Sequence, residues 1–194
     1  AGFTNLSVDL MYGLPGQTLA NWEGTVRNVL KLNPEHISCY GLKVEERTPL
    51  YQYKDAVNLP DDDLQADMYL AAVEILRSKG YRQYEISNFC RPGFHSRHNS
   101  SYWDGTPYLG LGAAAHSYNQ TSRQWSPANL DTYLASIENG TPAFDKETLS
   151  PQDRFNEKIM LSLRTAQGLN LHTLPLPQQK SLLTSAQPFI ERGQ

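Results

Sequence analysis

The amino-terminal part of the sequence alternates between strand and helix, and this alternation restricts the fold more than any other feature. Residues 5–12 are an apolar strand, a turn rich in glycine follows at residues 13–16, and residues 19–32 carry apolar side chains at helical spacing. Pro34 ends this helix, and residues 37–44 have the pattern of a second strand. Two similar strands joined by a helix predict a parallel βαβ unit, whose ligands gather at the carboxyl ends of the strands.

A second helix is predicted before the third strand. Residues 61–63 are aspartates that precede an apolar stripe extending to about residue 78, and Gly80 stands where a helix cap is expected. Three adjacent aspartates could hold a metal ion, but we favour the interpretation that they cap and charge the first helical turn, which attracts anions. The chain then enters a strand at residue 84, and residues 1–120 are predicted to be α/β.

Beyond the α/β part the pattern changes to helices. Ser126 and Ser150 each precede a proline and are placed to begin a helix, and Asp153 lies in the capping-box position of the second helix. Further prolines divide the remaining sequence into short helical pieces. Residues 121–194 are therefore predicted to form a mainly helical carboxyl-terminal domain that is truncated at its end.

Three of the five histidines fall between residues 95 and 116, among aromatic residues and a glycine–alanine run, which is the composition of a ligand-lining loop. Together with Cys90 they could hold zinc, although structural zinc sites usually contain paired cysteines. A histidine beside aromatic and small residues also suits an axial ligand of a planar macrocycle such as haem. Spacing alone leaves both possibilities open, beside the commoner case of a histidine hydrogen-bonded within its loop. The histidines concerned are His95, His98 and His116.

Asp9 interrupts the apolar residues of the first strand. A carboxylate in such a strand is costly to bury without hydrogen-bond partners, so something must satisfy it. Neighbouring backbone amides or a lysine are one explanation. A ligand that donates hydrogen bonds, for example through ribose hydroxyl groups, is the other.

The composition excludes several classes of protein. A formal net charge of -3 and a pI near 5.9 provide no general attraction for nucleic acid. Only two cysteines are present, Cys39 and Cys90, which rules out a disulfide framework and indicates a reducing compartment. No apolar run approaches the roughly 18 residues of a membrane span, so a cytoplasmic protein is predicted. Both ends interrupt a predicted element, and we therefore expect a fragment of a longer protein.

Several blocks of the sequence carry a resemblance to a known family: residues 8–18 (VDLMYGLPGQT), 84–89 (YEISNF), 98–103 (HNSSYW), 108–117 (YLGLGAAAHS) and 161–169 (LSLRTAQGL). In this order they resemble the oxygen-independent coproporphyrinogen III oxidase-like radical SAM proteins, and within them the HemW-type haem chaperone branch. The resemblance implies the last strands of a partial (β/α)6 barrel followed by a helical carboxyl-terminal domain. It also implies S-adenosylmethionine and a [4Fe-4S] cluster in the full-length protein. The C-x3-C-x2-C cluster motif is absent, so this fragment alone is expected to be inactive.

The resemblance extends to single positions. Asp9 matches the strand aspartate that contacts S-adenosylmethionine, and Met11 matches the apolar residue lying against the adenine. A second set matches the H-N-x-x-Y-W motif associated with haem binding in the chaperone branch, and its histidine is expected to be the iron ligand. The members of this set are His98, Asn99, Tyr102 and Trp103.

The resemblance implies a radical SAM haem chaperone that binds haem and transfers it to respiratory haem proteins. The recipients that it implies lie at the membrane surface. The alternative is the oxygen-independent coproporphyrinogen III oxidase, which carries out an oxidative decarboxylation in porphyrin biosynthesis. The H-N-x-x-Y-W motif favours the chaperone, since the oxidase lacks it. A third hypothesis, from the residues alone, is a zinc-stabilised interaction module without catalysis. Nucleic acid is not expected as a partner, and the sequence leaves the oligomeric state open.

Overall fold

A computed structural model describes residues 2–193 and divides them into two compact units. The first unit comprises residues 2–107 together with Arg164–Ala166, and the second comprises Tyr108–Leu163 with residues 167–193. None of the helices within the described residues is long and apolar enough to cross a membrane.

A four-stranded mixed sheet forms the centre of the first unit. Strands β1 (Ser7–Tyr12) and β2 (His36–Gly41) are parallel, which confirms the predicted βαβ unit. Strands β3 (Arg82–Gln83) and β4 (Asn88–Cys90) follow, and β4 lies antiparallel between β2 and β3. The strand predicted from residue 84 is thus wrong in its bounds, because residues 84–87 form the connection between two short strands.

Four helices belong to the first unit: α1 (Leu19–Leu30), α2 (Pro49–Tyr53), α3 (Asp62–Ser78) and α4 (Arg97–Trp103). The predicted cap of α3 is confirmed, since the Asp61 carboxylate accepts a hydrogen bond of 2.8 Å from the backbone amide of Leu64. The two following aspartates occupy the first turn. Gly80 lies just beyond the helix with a φ of +81°, a conformation that favours glycine.

The hydrophobic core of this unit lies on one face of the sheet, beneath α1 and α3. Trp22 of α1 is completely buried and donates its indole hydrogen to the backbone oxygen of Met68 in α3 at 2.7 Å. This bond ties the two helices together at the centre of the core, where an unpaired indole N–H would be costly. The buried members of the cluster are Trp22, Val26, Ile37, Cys39, Met68, Ala72, Ile75, Leu76, Tyr81 and Phe89.

The second unit contains a sheet that the sequence did not predict. Strands β5 (His116–Tyr118), β6 (Ser122–Trp125) and β7 (Asp145–Thr148) form an antiparallel sheet in this order. These strands are three or four residues long, and β7 consists of exposed polar residues. A strand without an apolar alternation gives no periodic signal, so the expectation of a mainly helical segment needs this correction.

Three α-helices complete the second unit together with a 3-10 helix at Leu171–Thr173: α5 (Leu130–Glu138), α6 (Pro151–Ser162) and α7 (Leu176–Ile190). The predicted capping box of α6 is confirmed by reciprocal hydrogen bonds between Ser150 and Asp153. A backbone bridge pairs Tyr108 with Tyr118, and this pairing assigns the residues before β5 to the second unit. The division between the units therefore precedes residue 120, where the sequence pattern places the boundary.

Candidate ligand-binding site

The sheet of the first unit has one apolar face and one polar face. Residues paired across strands share a face, and successive residues of a strand alternate between faces. Ile37 and Phe89 are paired and lie in the core beneath the helices, so the residues that alternate with them point to the other side. We call this side the polar face; its strand residues are Ser7, Asp9, Met11, His36, Ser38, Tyr40, Asn88 and Cys90.

The structure places the two residues predicted to contact S-adenosylmethionine on the polar face. Asp9 is paired with Ser38 and Met11 is paired with Tyr40. Both Asp9 and Met11 are exposed, and their strand is the terminal strand of the described sheet. The premise that Asp9 is buried is therefore wrong, and its carboxylate is accessible.

A chain of polar contacts that the sequence analysis missed begins at Ser7, the first residue of β1 on the polar face. The Ser7 hydroxyl oxygen lies 2.8 Å from Nδ1 of His36, and Nε2 of His36 lies 2.8 Å from the hydroxyl oxygen of Tyr84. His36 is only 5% exposed. Burial lowers the pKa of His36. The charge of Asp9 acts to raise this pKa, and His95 acts to lower it further. The period-two alternation of residues 36–40, polar at His36, Ser38 and Tyr40, is a signal that could have revealed this side chain.

Tyr84 links this chain of contacts to the segment before α4. Its hydroxyl oxygen accepts a hydrogen bond from the backbone amide of Ser96 at 3.4 Å, and its ring packs edge-on against His95 at a centroid distance of 4.7 Å. Burial raises the pKa of Tyr84 to about 12, so the phenol stays protonated at neutral pH. His95 is thus a packing partner of a tyrosine.

Helix α4 carries all four residues of the predicted haem motif. Ser96 caps the helix by accepting a hydrogen bond from the Asn99 amide at 3.2 Å. His98 and Tyr102 lie one turn apart, with their rings perpendicular at a centroid distance of 5.2 Å. The Tyr102 hydroxyl oxygen is 3.5 Å from His98 Nε2. His98 is exposed and its imidazole is open to a ligand.

The other two motif residues face a cavity beside the polar face. Asn99 donates a hydrogen bond from Nδ2 to Oδ1 of Asn88 at 3.4 Å, which connects α4 to β4. Trp103 lies one turn further along the helix. The cavity has a volume of about 290 Å³ and is lined by Tyr40, Glu85, Ser87, Asn88, Asn99, Tyr102 and Trp103.

The structure does not support the zinc hypothesis. No group of three or more histidine, cysteine, aspartate or glutamate side chains is placed to hold a metal ion among residues 2–193. His116 belongs to β5 of the second unit, where its ring stacks on the Trp125 ring at a centroid distance of 5.7 Å. Cys90 is completely buried, and burial raises the pKa of its thiol, which opposes the thiolate form that binds metals.

The two cysteines also do not fit an iron–sulfur cluster. Cys39 lies in the hydrophobic core beneath the helices, whereas Cys90 alternates with Phe89 and lies on the polar side of the sheet. Burial raises the pKa of Cys39 to about 12, so this thiol stays protonated. The described part of the chain therefore provides no converging thiolates for such a group.

No protein-family model matches the chain. Several curated proteins are similar to it, among them heme chaperone HemW of Bacillus subtilis, which is 38% identical over 172 residues, covering 87% of this chain and 45% of the relative. Radical S-adenosyl methionine domain-containing protein 1, mitochondrial, of Danio rerio is 39% identical over 175 residues, covering 84% of this chain and 39% of the relative. The chain thus spans less than half the length of these relatives.

A solved structure has a similar fold. The match is to a chain described as coproporphyrinogen III oxidase (HemN) from Escherichia coli, a radical SAM enzyme, with a TM-score of 0.73 and 23% sequence identity. It covers 93% of this chain and 44% of the other. The similarity shows that the mixed α/β arrangement described above occurs in a radical SAM protein.

Proposed function

The chain belongs to the oxygen-independent coproporphyrinogen III oxidase-like radical SAM family, and from this membership we propose that it is the haem-binding part of a haem chaperone. The observation that carries the proposal is the arrangement of α4. Its exposed His98 imidazole has an aromatic neighbour one turn away, and the helix is fixed to the sheet through the bond between Asn99 and Asn88. The relatives named heme chaperone HemW support the same assignment.

In this proposal His98 provides the ligand to the haem iron. An exposed imidazole at a helix surface can approach the iron without breaking a contact in the core. The Tyr102 ring stands perpendicular to the imidazole and limits its rotation, while its hydroxyl oxygen lies within reach of Nε2. In the tautomer whose Nε2–H donates to this hydroxyl oxygen, Nδ1 keeps the lone pair that binds the iron. Trp103 adds aromatic surface against which a porphyrin packs.

We further propose that Asp9 and Met11 form part of a site for S-adenosylmethionine. Both are accessible on the polar face, and their neighbours across the ladder are Ser38 and Tyr40. A carboxylate next to a hydroxyl suits the recognition of ribose hydroxyl groups, and a methionine suits a flat apolar base. The whole protein would supply the [4Fe-4S] cluster from residues outside this chain, since the two cysteines described here do not converge.

The intact protein is proposed to transfer its haem to respiratory haem proteins. The oxidative decarboxylation of coproporphyrinogen III remains the competing activity, and the two are separated by experiment. Haem-loaded intact protein mixed with a haem-free cytochrome should pass the haem to the cytochrome, as read from the cytochrome absorbance bands. Decarboxylation of coproporphyrinogen III by the cluster-loaded intact protein would contradict the proposal.

The proposed site is tested by haem titration of the 194-residue chain, followed by the Soret band. We expect a saturable shift near one equivalent that is lost with His98→Ala. The control is His172→Ala, another exposed histidine, which lies in the second unit. A titration that does not saturate, or that is unchanged by His98→Ala, would exclude this helix as the haem site.

A further inference from the structure

Glu85 is a buried carboxylate whose charge the described protein does not balance. Its residue exposure is 3%, and its Oε1 atom has no hydrogen-bond partner among residues 2–193. No ion pair of the described residues includes Glu85. A carboxylate oxygen removed from water without a partner is costly in a folded protein. Such a side chain is expected to meet its partner from outside the chain.

The backbone explains why Glu85 is held in this position. Glu85 forms an antiparallel bridge with Thr165, and the neighbouring Tyr84 carbonyl accepts a hydrogen bond from the amide of Ala166 at 2.9 Å. These contacts place the segment Arg164–Ala166 against the connection between β3 and β4. The carboxylate is therefore confined to the cavity beside α4, which it lines.

The remaining lining of this cavity is suited to an organic cation. Of the described residues that line it, Glu85 alone has a formal charge, so the cavity favours cations and repels anions. Three aromatic side chains line it, and aromatic faces attract ammonium and sulfonium groups. Asn88 and Asn99 supply amide oxygens that accept hydrogen bonds from N–H donors. The aromatic residues are Tyr40, Tyr102 and Trp103.

We propose that the cavity around Glu85 binds an organic cation, whose charged group is paired with the Glu85 carboxylate and surrounded by the three aromatic rings. The volume of about 290 Å³ admits a small ammonium or sulfonium group with its alkyl substituents. An anion is disfavoured by the carboxylate, and an uncharged apolar group would leave the carboxylate unpaired. The cavity shares Asn99, Tyr102 and Trp103 with the proposed haem site. The pairing of the cation with Glu85 involves neither the His98 imidazole nor haem iron, so the proposal adds a ligand beyond haem.

The test is a titration of the 194-residue chain with ethylammonium chloride and, separately, with trimethylsulfonium chloride. Binding is followed by the NMR signals of the Trp103 indole N–H and of the Asn88 and Asn99 side-chain amides. Ethanol serves as the uncharged comparison, and potassium chloride at equal concentration controls for ionic strength and inorganic cations. We expect saturable shifts with one or both organic cations and none with ethanol or potassium.

Glu85→Gln keeps the shape of the side chain and removes its charge. It is expected to weaken organic cation binding by about tenfold or more, since a charge-assisted contact is replaced by a neutral one. Glu46→Gln, an exposed glutamate, is the matched control and should leave binding unchanged. A preference between the two cations identifies the source as an amine or as a sulfonium compound.

A second measurement keeps the outcome interpretable if the affinity is low. In the absence of ligand, Glu85→Gln should raise the thermal unfolding midpoint, because an unbalanced buried charge is removed. In the presence of the cation that binds, the difference in unfolding midpoint between Glu85→Gln and the original chain should shrink, because the ligand stabilises the original chain more strongly. The absence of saturable shifts for both cations, equal shifts with potassium, or unchanged binding in Glu85→Gln would overturn the proposal. The His98→Ala haem titration is unaffected by any of these results, so the two proposals fail separately.

Discussion

Nε2 of His36 lies 2.8 Å from the hydroxyl oxygen of Tyr84, and this contact joins β2 to the connection between β3 and β4. The Ser7 hydroxyl occupies the other ring nitrogen of His36. A buried imidazole with both nitrogens engaged is fixed in its ring orientation. The polar side of the sheet is therefore held together by side chains as well as by the backbone ladder.

Tyr84→Phe should destabilise the first unit by about 1–3 kcal/mol, because it leaves a buried ring nitrogen of His36 without its partner. Urea unfolding of the variant and the original chain measures this difference. Tyr53→Phe is the control, since the Tyr53 side chain is 61% exposed. Equal losses for the two variants would show that the contact between His36 and Tyr84 contributes nothing.

Stability should fall as the pH is lowered through the range in which His36 titrates. Because burial lowers its pKa in the folded chain, the unfolded chain binds the proton first, near the ordinary imidazole pKa of about 6.5. The contribution of His36 is thus present above that pH and is lost as the pH falls toward its lower folded pKa. Urea unfolding at about pH 7.5 and 5.5 should show a smaller difference for His36→Gln than for the original chain. Identical pH dependences would contradict this assignment.

Trp22→Ala should cost about 3–5 kcal/mol of unfolding free energy, since it empties a completely buried position between α1 and α3. Trp22→Phe should cost less, because only the ring size and the bond to the Met68 carbonyl are lost. Leu32→Ala serves as the comparison, because Leu32 is 65% exposed. Chemical denaturation with far-ultraviolet circular dichroism provides the three values.

Two glycine substitutions should act in opposite directions. A side-chain carbon at Gly110 would overlap the backbone oxygen of His116, so Gly110→Ala should separate the bridged segments before β5 and lower the thermal midpoint. Gly24 lies inside α1 with open space around it, and Gly24→Ala should stabilise by about 0.5–1 kcal/mol. Calorimetry of both variants tests the pair. A destabilised Gly24→Ala would show that α1 lacks the room described here.

The sequence predicts those parts of the structure in which local chemistry and packing agree. The cap at Asp61, the capping box at Ser150 and the parallel pairing of the first two strands all follow from short-range signals. The sheet of the second unit was missed because Ser122–Trp125 and Asp145–Thr148 show no apolar alternation. Their pairing depends on contacts distant in sequence, which no local pattern encodes.

The candidate site was predicted only where a motif marks it. The residues of α4 were identified through resemblance. Glu85 was missed because a single polar residue that becomes buried has no local signature, and His36 was missed because only the alternation of residues 36–40 indicates its side of the sheet. Their burial results from cross-strand register and from the bridge to Thr165. The exposed position of Asp9 was misjudged for a related reason, since an apolar strand at the end of a sheet is covered on one side only.

The alternation within β2 makes substitution and insertion unequal in their effects. His36 and Ser38 belong to the polar side, while Ile37 and Cys39 belong to the core. Replacing one of these residues changes one side of the sheet only. A single residue inserted within His36–Gly41 would exchange the two sides, placing an imidazole in the core and an isoleucine on the polar face. Natural variation in this strand should therefore consist of substitutions, with changes in length confined to the flanking loops.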